Sequence, residues 1–142
     1  GLDGSGKMGK SEGNAIYLSD SPKEIEKKVK KALTDAGPTV PNSEKPDYIE
    51  NLFTLLKVVS TPDVVEHYEG QWNRCEIRYG DLKKQLAEDI IRVTTPIRER
   101  VLELSNNDDY LRKVVREGAE RARESAAATL AGVREIVGFK SF

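Results

Sequence analysis

Apolar residues recur at spacings of three and four through much of this chain, which is the period of an α-helix. The longest stripe supports about six turns and consists of Leu82, Leu86, Ile90, Val93, Ile97, Val101 and Leu104. Pro96 lies within this stripe and is expected to kink the helix. No alternation typical of a β-strand follows residue 18. The sequence therefore predicts an all-α fold, a bundle of about five helices preceded by a glycine-rich loop.

The first helix is indicated by the residues at its N-terminus. Ser21 can cap the helix, Pro22 suits its first position, and Glu24 completes a capping box. This helix is expected to stop near residues 35–38, where Gly and Pro follow. The short apolar run before it, residues 15–18, is predicted to be either an edge strand or a hinge.

Three further helices complete the predicted fold. One is expected over residues 47–59, and the next begins after Thr61, which suits a helix N-cap. Tyr68 and Trp72 fall on the apolar face of that third helix and are expected in the core. The last helix is expected over about residues 109–136. Its expected inner face comprises Leu111, Val114, Val115, Gly118, Ala119, Ala122, Ala126, Leu130 and Val133. The residues in the middle of this face are small, which would let a neighbouring helix approach closely.

The first fourteen residues form a second distinctive feature, which we call the glycine loop. They contain five glycines, two lysines and two serines. Glycine allows backbone N–H groups to turn toward a ligand, and successive N–H groups in a tight loop form a nest for anions. Lysine adds a mobile positive charge on a long side chain. The glycine loop is therefore predicted to bind phosphate.

One pattern in the loop is that of a P-loop, because Gly4–Ser11 fits G-x-x-x-x-G-K-[ST] in full. A P-loop opens a long helix, but residues 12–14, two of which are poor helix formers, follow directly. Pro22 would also end any such helix within about ten residues. A P-loop NTPase is therefore the minor alternative, and it predicts a long helix that begins at Lys10 or Ser11.

The other pattern is Lys7-Met8-Gly9-Lys10-Ser11, which resembles the KMSKS loop of the class I aminoacyl-tRNA synthetases. Gly9 stands where that family usually has Ser. Gly1-Leu2-Asp3-Gly4 before the motif and Asn14-Ala15-Ile16-Tyr17-Leu18 after it are similar to the tryptophanyl-tRNA synthetases. The tyrosyl-tRNA synthetases share much of this loop and are the nearest alternative.

Later segments keep the order of the tryptophanyl family across nearly the whole chain. They are Tyr79-Gly80-Asp81-Leu82-Lys83 with Leu86-Ala87, Pro96-Ile97-Arg98-Glu99-Arg100, Gly118-Ala119-Glu120-Arg121-Ala122, Thr129-Leu130-Ala131 and Val133-Arg134-Glu135. Similarity over this length is more specific than one loop. The chain is therefore identified as a member of the tryptophanyl-tRNA synthetase family, and as a C-terminal fragment with the KMSKS-type loop.

The resemblance implies a role for each residue of the motif. In this family the loop closes over ATP while tryptophan is activated, so Lys7 and Lys10 are the candidate catalytic residues, expected to stabilise charge on the departing pyrophosphate. Met8 would pack the loop against the catalytic domain. Ser11 and the N–H groups around Gly9 would bond ATP phosphate oxygens, although Gly9 itself offers no hydroxyl. Mg²⁺ is expected to arrive with ATP rather than to sit among protein ligands.

The resemblance also implies domains and partners. Residues 1–20 would be the ATP-phosphate loop and hinge at the end of a catalytic domain, and residues 21–142 the C-terminal helical domain that binds the tRNA anticodon. The expected partners are tRNA(Trp), ATP, and tryptophan held by the missing domain. The parent is expected to be a homodimer, whereas this part is compatible with a monomer. The sequence also predicts two basic helix faces, which either contact tRNA phosphates or are ordinary solvated surface. One face comprises Lys23, Lys27, Lys30 and Lys31, and the other comprises Arg112, Arg116 and Arg123.

Composition sets outer limits on these interpretations. The 142 residues carry 23 Lys and Arg against 24 Asp and Glu, which argues against a dedicated nucleic-acid coat protein but allows a local basic face. The single cysteine, Cys75, excludes an internal disulfide framework and fits a cytoplasmic location. No apolar run approaches the roughly 20 residues of a membrane span.

Since the only methionine is Met8, we expect a piece of a longer protein that is inactive alone. A non-catalytic helical adaptor is the remaining alternative.

Overall fold

The computed structural model describes residues 1–138, most of which lie in five α-helices. We number them α1 (Pro22–Lys30), α2 (Asp47–Val59), α3 (Pro62–Asn73), α4 (Tyr79–Ser105) and α5 (Asp108–Val137). No β-strand occurs within this described range, and residues 15–18 are neither strand nor helix. The prediction of an all-α chain with five helices behind a glycine loop is confirmed.

The chain divides into two compact units, and the boundary lies inside α4, between Glu99 and Arg100. The first unit contains the glycine loop, α1, α2, α3 and most of α4. The second unit contains the end of α4 and α5. A separate functional division between residues 1–20 and 21–142 stays a prediction.

The side chains of α1, α2, α3 and α4 share one hydrophobic core in the first unit. The Phe53 and Trp72 rings meet edge to face with centroids 6.4 Å apart, and Trp72 Nε1 donates a hydrogen bond to the Ser43 carbonyl at 2.8 Å. Burying an apolar side chain of this size contributes about 1.5–3 kcal/mol. Tyr68 and Trp72 belong to this core, as predicted. Its other nearly inaccessible members are Ile25, Val29, Ile49, Leu52, Leu56, Leu82 and Leu86.

Polar contacts fix both ends of α1. Ser21 Oγ accepts a hydrogen bond from the Glu24 N–H at 3.4 Å, and Glu24 Oε2 accepts one from the Ser21 N–H at 2.7 Å. The predicted capping box is therefore present. Beyond the C-terminus of α1, Lys83 Nζ donates to the Ala32 carbonyl at 2.8 Å. Burial lowers the pKa of the Lys83 ammonium.

The segment that follows α1 is held by the carboxylate of Asp35. Tyr79 donates its hydroxyl to Asp35 at 2.7 Å, and Tyr48 donates its hydroxyl at 3.0 Å. Burial opposes ionisation of Asp35, but the hydrogen bonds from Tyr79, the Gly37 N–H and Tyr48 outweigh it and lower the pKa of the carboxyl. Because Tyr48 lies in α2 and Tyr79 begins α4, this carboxylate links three parts of the first unit.

The predicted helices at the end of the chain are present, although their apolar stripes are not buried throughout. α4 continues through Pro96, and its stripe is about 40% exposed at Val93, Ile97 and Val101. In α5, Asn107 is the N-cap and its side chain accepts from the Tyr110 N–H at 3.0 Å. No residue of α5 is buried, including those of its predicted inner face. None of the helices described here combines the length and the apolar character that crossing a membrane requires.

Replacing Ser21 with Ala should lower the free energy of unfolding by about 1 kcal/mol, because the N-terminus of α1 loses its capping hydrogen bond. Thr61→Ala is the matched control, since Thr61 is the N-cap of α3 but its side chain makes no capping hydrogen bond. Urea unfolding followed by circular dichroism measures both variants. Equal destabilisation by the two substitutions would contradict the assigned cap.

Candidate phosphate-binding loop

The glycine loop has no regular secondary structure, and its two ends meet. The Leu2 N–H donates to the Asn14 carbonyl at 3.5 Å, which closes the loop. Gly4 turns the chain with φ +88°, and a Cβ added there would lie 3.0 Å from side-chain atoms of Leu33 and Tyr48. Both the left-handed backbone and the lack of space therefore require glycine at this turn.

Two apolar side chains attach the glycine loop to the core of the first unit. Leu2 is buried, and its carbonyl accepts a hydrogen bond from the Leu33 N–H at 2.8 Å. Met8 is half-buried and packs against the same core. In addition, Asn51 of α2 donates from Nδ2 to the Ser5 carbonyl at 3.2 Å. The predicted phosphate-binding residues thus sit on a loop that is packed at several points.

The side-chain amide of Asn14 makes hydrogen bonds throughout the loop. Asn14 Oδ1 accepts from the Gly9 N–H at 2.8 Å. Asn14 Nδ2 lies 3.2 Å from the Lys7 carbonyl, 2.8 Å from Ser5 Oγ and 3.0 Å from Asp3 Oδ1. We call these five residues the asparagine network. Through this network, the Asn14 amide contacts the main chain on both sides of Met8.

Lys7 and Lys10, the predicted catalytic residues, are both exposed. Within residues 1–138, no carboxylate lies at ion-pair distance from either ammonium group. The Lys10 carbonyl accepts a hydrogen bond from the Tyr17 hydroxyl at 3.2 Å. The Tyr17 ring in turn lies below the Lys28 ammonium, with Nζ 4.6 Å from the ring centroid. The main chain at both lysines is therefore held by neighbouring side chains while their charges face solvent.

Gly9 and Ser11 make hydrogen bonds inside the loop. The Gly9 N–H is bonded to Asn14, and Ser11 Oγ donates to Glu12 Oε1 at 3.2 Å. A Cβ on Gly9 would lie 2.6 Å from Cγ of Glu12, so Glu12 occupies the space that a serine at this position would need. Phosphate binding by Ser11 and by N–H groups around Gly9 stays a prediction. The Gly9 N–H would have to leave Asn14 in order to take part.

A cleft of about 400 Å³ lies between the glycine loop and α1. Its charge is mixed, since it is lined by the cations Lys27, Lys28 and Lys31 and by the carboxylates Asp3, Glu12 and Glu24. Lys27 and Lys31, two members of the predicted basic face of α1, therefore line a cleft beside the loop. In the described part of the chain, no three His, Cys, Asp or Glu side chains are grouped as metal ligands.

The P-loop alternative is wrong in its structural prediction. Residues 10–13 form turns, and the next helix begins at Pro22, so no helix starts at Lys10 or Ser11. Gly13 has φ +68°, which turns the chain where a P-loop helix would continue.

Sequence reasoning assigned no function to Asn14 or Tyr17, which make the hydrogen bonds that hold the main chain of the two lysines. Both residues entered the sequence argument as part of a flanking similarity, and Asn14 also as a poor helix former. An asparagine after a glycine is a common turn signal. Its bonds to residues five to eleven positions earlier follow no periodic pattern, so only the folded loop identifies them.

Fold and site together define a class of protein, an all-α chain whose exposed lysines lie on a glycine loop that is packed against the helices. The profile of the family described as "tRNA synthetases class I (W and Y)" matches residues 1–95. The chain therefore belongs to the class I tRNA synthetases for tryptophan and tyrosine.

Individual relatives are similar to nearly the whole chain. The tryptophan–tRNA ligase of Porphyromonas gingivalis is 66% identical over 140 residues, which cover 99% of this chain and 43% of that relative. The tryptophan–tRNA ligase of Helicobacter pylori is 38% identical, with coverage of 93% and 40%. The crystal structure of tryptophanyl-tRNA synthetase from Campylobacter jejuni complexed with ADP and tryptophan aligns with TM-score 0.77 and 25% identity, covering 98% of this chain and 43% of that one. The chain thus spans less than half the length of these relatives.

We predict that Asp3 titrates at unusually low pH. The side-chain hydrogen bond from Ser5, followed by that from Asn14, lowers the pKa of the Asp3 carboxyl from 3.8 to about 2. Because the folded-state pKa is depressed, the ionised carboxylate stabilises the loop above about pH 4, and this contribution is lost as the pH falls toward 2. Carbon-detected NMR titration of the carboxyl measures this pKa directly.

Ser5→Ala is the matched variant for this titration, and it should raise the pKa of Asp3 toward 3.8, because it removes the largest of the lowering contacts. An Asp3 pKa near 3.8 in the unmodified chain, with no change in Ser5→Ala, would show that the asparagine network does not form.

Proposed function

We propose that this chain is the C-terminal part of a tryptophan–tRNA ligase, whose full-length form activates tryptophan with ATP and transfers it to tRNA. The observation that carries the proposal is the glycine loop, in which Lys7 and Lys10 are exposed and unpaired within the described residues while their main chain is held. The similarity to two tryptophan–tRNA ligases favours tryptophan over tyrosine as the substrate.

In the proposed activation step, a carboxylate oxygen of tryptophan attacks the α-phosphorus of ATP. The bond between that phosphorus and the oxygen bridging to pyrophosphate breaks, and negative charge accumulates on the leaving pyrophosphate. The ammonium groups of Lys7 and Lys10 stabilise this charge, and they do so most effectively when the loop is already organised before the reaction. Mg²⁺ is proposed to bind with the ATP phosphates, because this cation retains several waters and prefers substrate phosphates to an all-protein cage.

The helical part of the chain is proposed to bind tRNA(Trp). On α5, Arg112, Arg116 and Arg123 line one shallow pocket together with apolar neighbours, so these three cations share a face as predicted. On α1, Lys23 and Lys30 are exposed. Exposed cations at helical spacing can follow a phosphate backbone and release its counterions. A homodimeric parent and a cytoplasmic location are proposed from the family resemblance.

In the full-length protein, Lys10→Ala should lower tryptophan-dependent ATP–pyrophosphate exchange by roughly 10²–10³-fold, because one cation at the leaving group is lost. Lys7→Ala should lower it as well, by a smaller factor. Lys84→Ala is the control: Lys84 is an exposed lysine of α4 whose ammonium lies 4.0 Å from Glu88, and its loss should leave exchange unchanged.

Parallel assays with tyrosine test the choice of amino acid, and only tryptophan should support exchange. Wild-type exchange rates in both Lys7→Ala and Lys10→Ala would contradict the proposal and favour a non-catalytic helical adaptor. The 142-residue chain by itself is predicted to be inactive in the same assay.

A further inference from the structure

We propose that Asn14 is a positioning residue for the activation step, and that its amide holds the main chain from Lys7 to Gly9 where the two lysines can reach the pyrophosphate. This inference rests on the proposed function of the glycine loop. Asn14 itself is only 6% exposed, so its polar atoms must find partners within the protein.

The hydrogens of the asparagine network can be assigned without conflict. Asn14 Nδ2 carries two hydrogens: one goes to the Lys7 carbonyl at 3.2 Å, and the other is shared between Ser5 Oγ at 2.8 Å and Asp3 Oδ1 at 3.0 Å. Ser5 Oγ then donates its single hydrogen to Asp3 Oδ1 at 2.7 Å. Asn14 Oδ1 remains as the acceptor for the Gly9 N–H. If the amide were turned over, its NH₂ group would face the Gly9 N–H, so the orientation is fixed by its partners.

These contacts act directly on the segment that carries the lysines. The Lys7 carbonyl and the Gly9 N–H belong to the two peptide groups that flank Met8, and Asn14 bonds to both. Met8 packs on the core and the Lys10 carbonyl is bonded to Tyr17, so the remaining freedom of this segment is small. An error of about 1 Å in placing a catalytic group can cost roughly 10²-fold in rate. Loss of the amide should therefore reduce catalysis although it removes no charge.

The chemistry of the position favours asparagine over its isostere. In Asn14→Asp, a carboxylate oxygen would replace Nδ2 beside Asp3 Oδ1, which is now 3.0 Å away, and beside the Lys7 carbonyl. Asp3 is ionised at neutral pH because its pKa is about 2. Two adjacent carboxylates repel each other, and neither supplies the donor that the Lys7 carbonyl needs.

The test uses the full-length protein and steady-state ATP–pyrophosphate exchange. Asn14→Ala should lower kcat roughly 10- to 100-fold and leave the KM for tryptophan unchanged, because the loop is proposed to act on the phosphates. Asn14→Asp should be at least as impaired. Asn73→Ala is the matched control, since Asn73 is an exposed asparagine at the end of α3, outside the glycine loop. Its kcat should be unchanged.

A double-mutant cycle separates positioning from general stability. If Asn14 acts through the lysine charges, Asn14→Ala should lower kcat by less than about threefold in a protein that already carries both Lys7→Ala and Lys10→Ala. An equal fold-loss in both backgrounds would overturn the inference, as would wild-type kcat in Asn14→Ala. Thermal unfolding of each variant reports its folding. Ser5→Ala, at an exposed position, removes one link of the network and should show a smaller loss with the same dependence on the two lysines.

The proposed function and this inference fail in different ways. Absence of tryptophan-dependent exchange in the unmodified full-length protein would refute the proposed function. Activity in the unmodified protein that Asn14→Ala does not change would refute only the role of Asn14.

Discussion

The geometry of the glycine loop depends on one side-chain amide, which bonds to the main chain on both sides of Met8. Five glycines in fourteen residues give this segment many accessible conformations, and ordering it is entropically costly. The Asn14 amide is buried and supplies both a donor and an acceptor, so it selects one arrangement of the segment from Lys7 to Gly9. Lys7 and Lys10 take their positions from that arrangement.

The loop can keep this geometry because the helices beneath it are themselves fixed. Leu2 and Met8 pack on the shared core of α1 to α4, and the Leu2 carbonyl is bonded to the N–H of Leu33, just after α1. Lys83 of α4 bonds to the carbonyl of Ala32 at the same end of α1. The residues that follow α1 therefore connect the core to the loop. The proposed phosphate chemistry needs such support, since charge stabilisation is greatest when the donors need no reorganisation.

Much of the helical fold could be predicted from local sequence signals. The Ser21 capping box, the Thr61-Pro62 helix start and the apolar periodicity place helices that the structure contains, because caps and one-sided burial are local properties. Burial was less predictable. Val93, Ile97 and Val101 in α4 and the apolar face of α5 have the helical period but remain exposed, since periodicity identifies a face and not the partner that would cover it.

The contacts within the glycine loop were even less predictable from the sequence than the burial of the helices. Lys7 and Lys10 could be named from a motif, whereas the contacts of Asn14 and Tyr17 could not, because they join residues at irregular separations. The steric relation between Gly9 and Glu12 also follows only from the folded loop, where Glu12 fills the space beside Gly9.

Hydrogen exchange at the Gly9 backbone amide in this 142-residue chain tests the central claim most directly. Because that hydrogen is bonded to Asn14 Oδ1, the amide should exchange at least about tenfold more slowly than in an unstructured peptide of the same sequence. Asn14→Ala should abolish the protection. Exchange of Gly9 at the peptide rate in the unmodified chain would contradict the account.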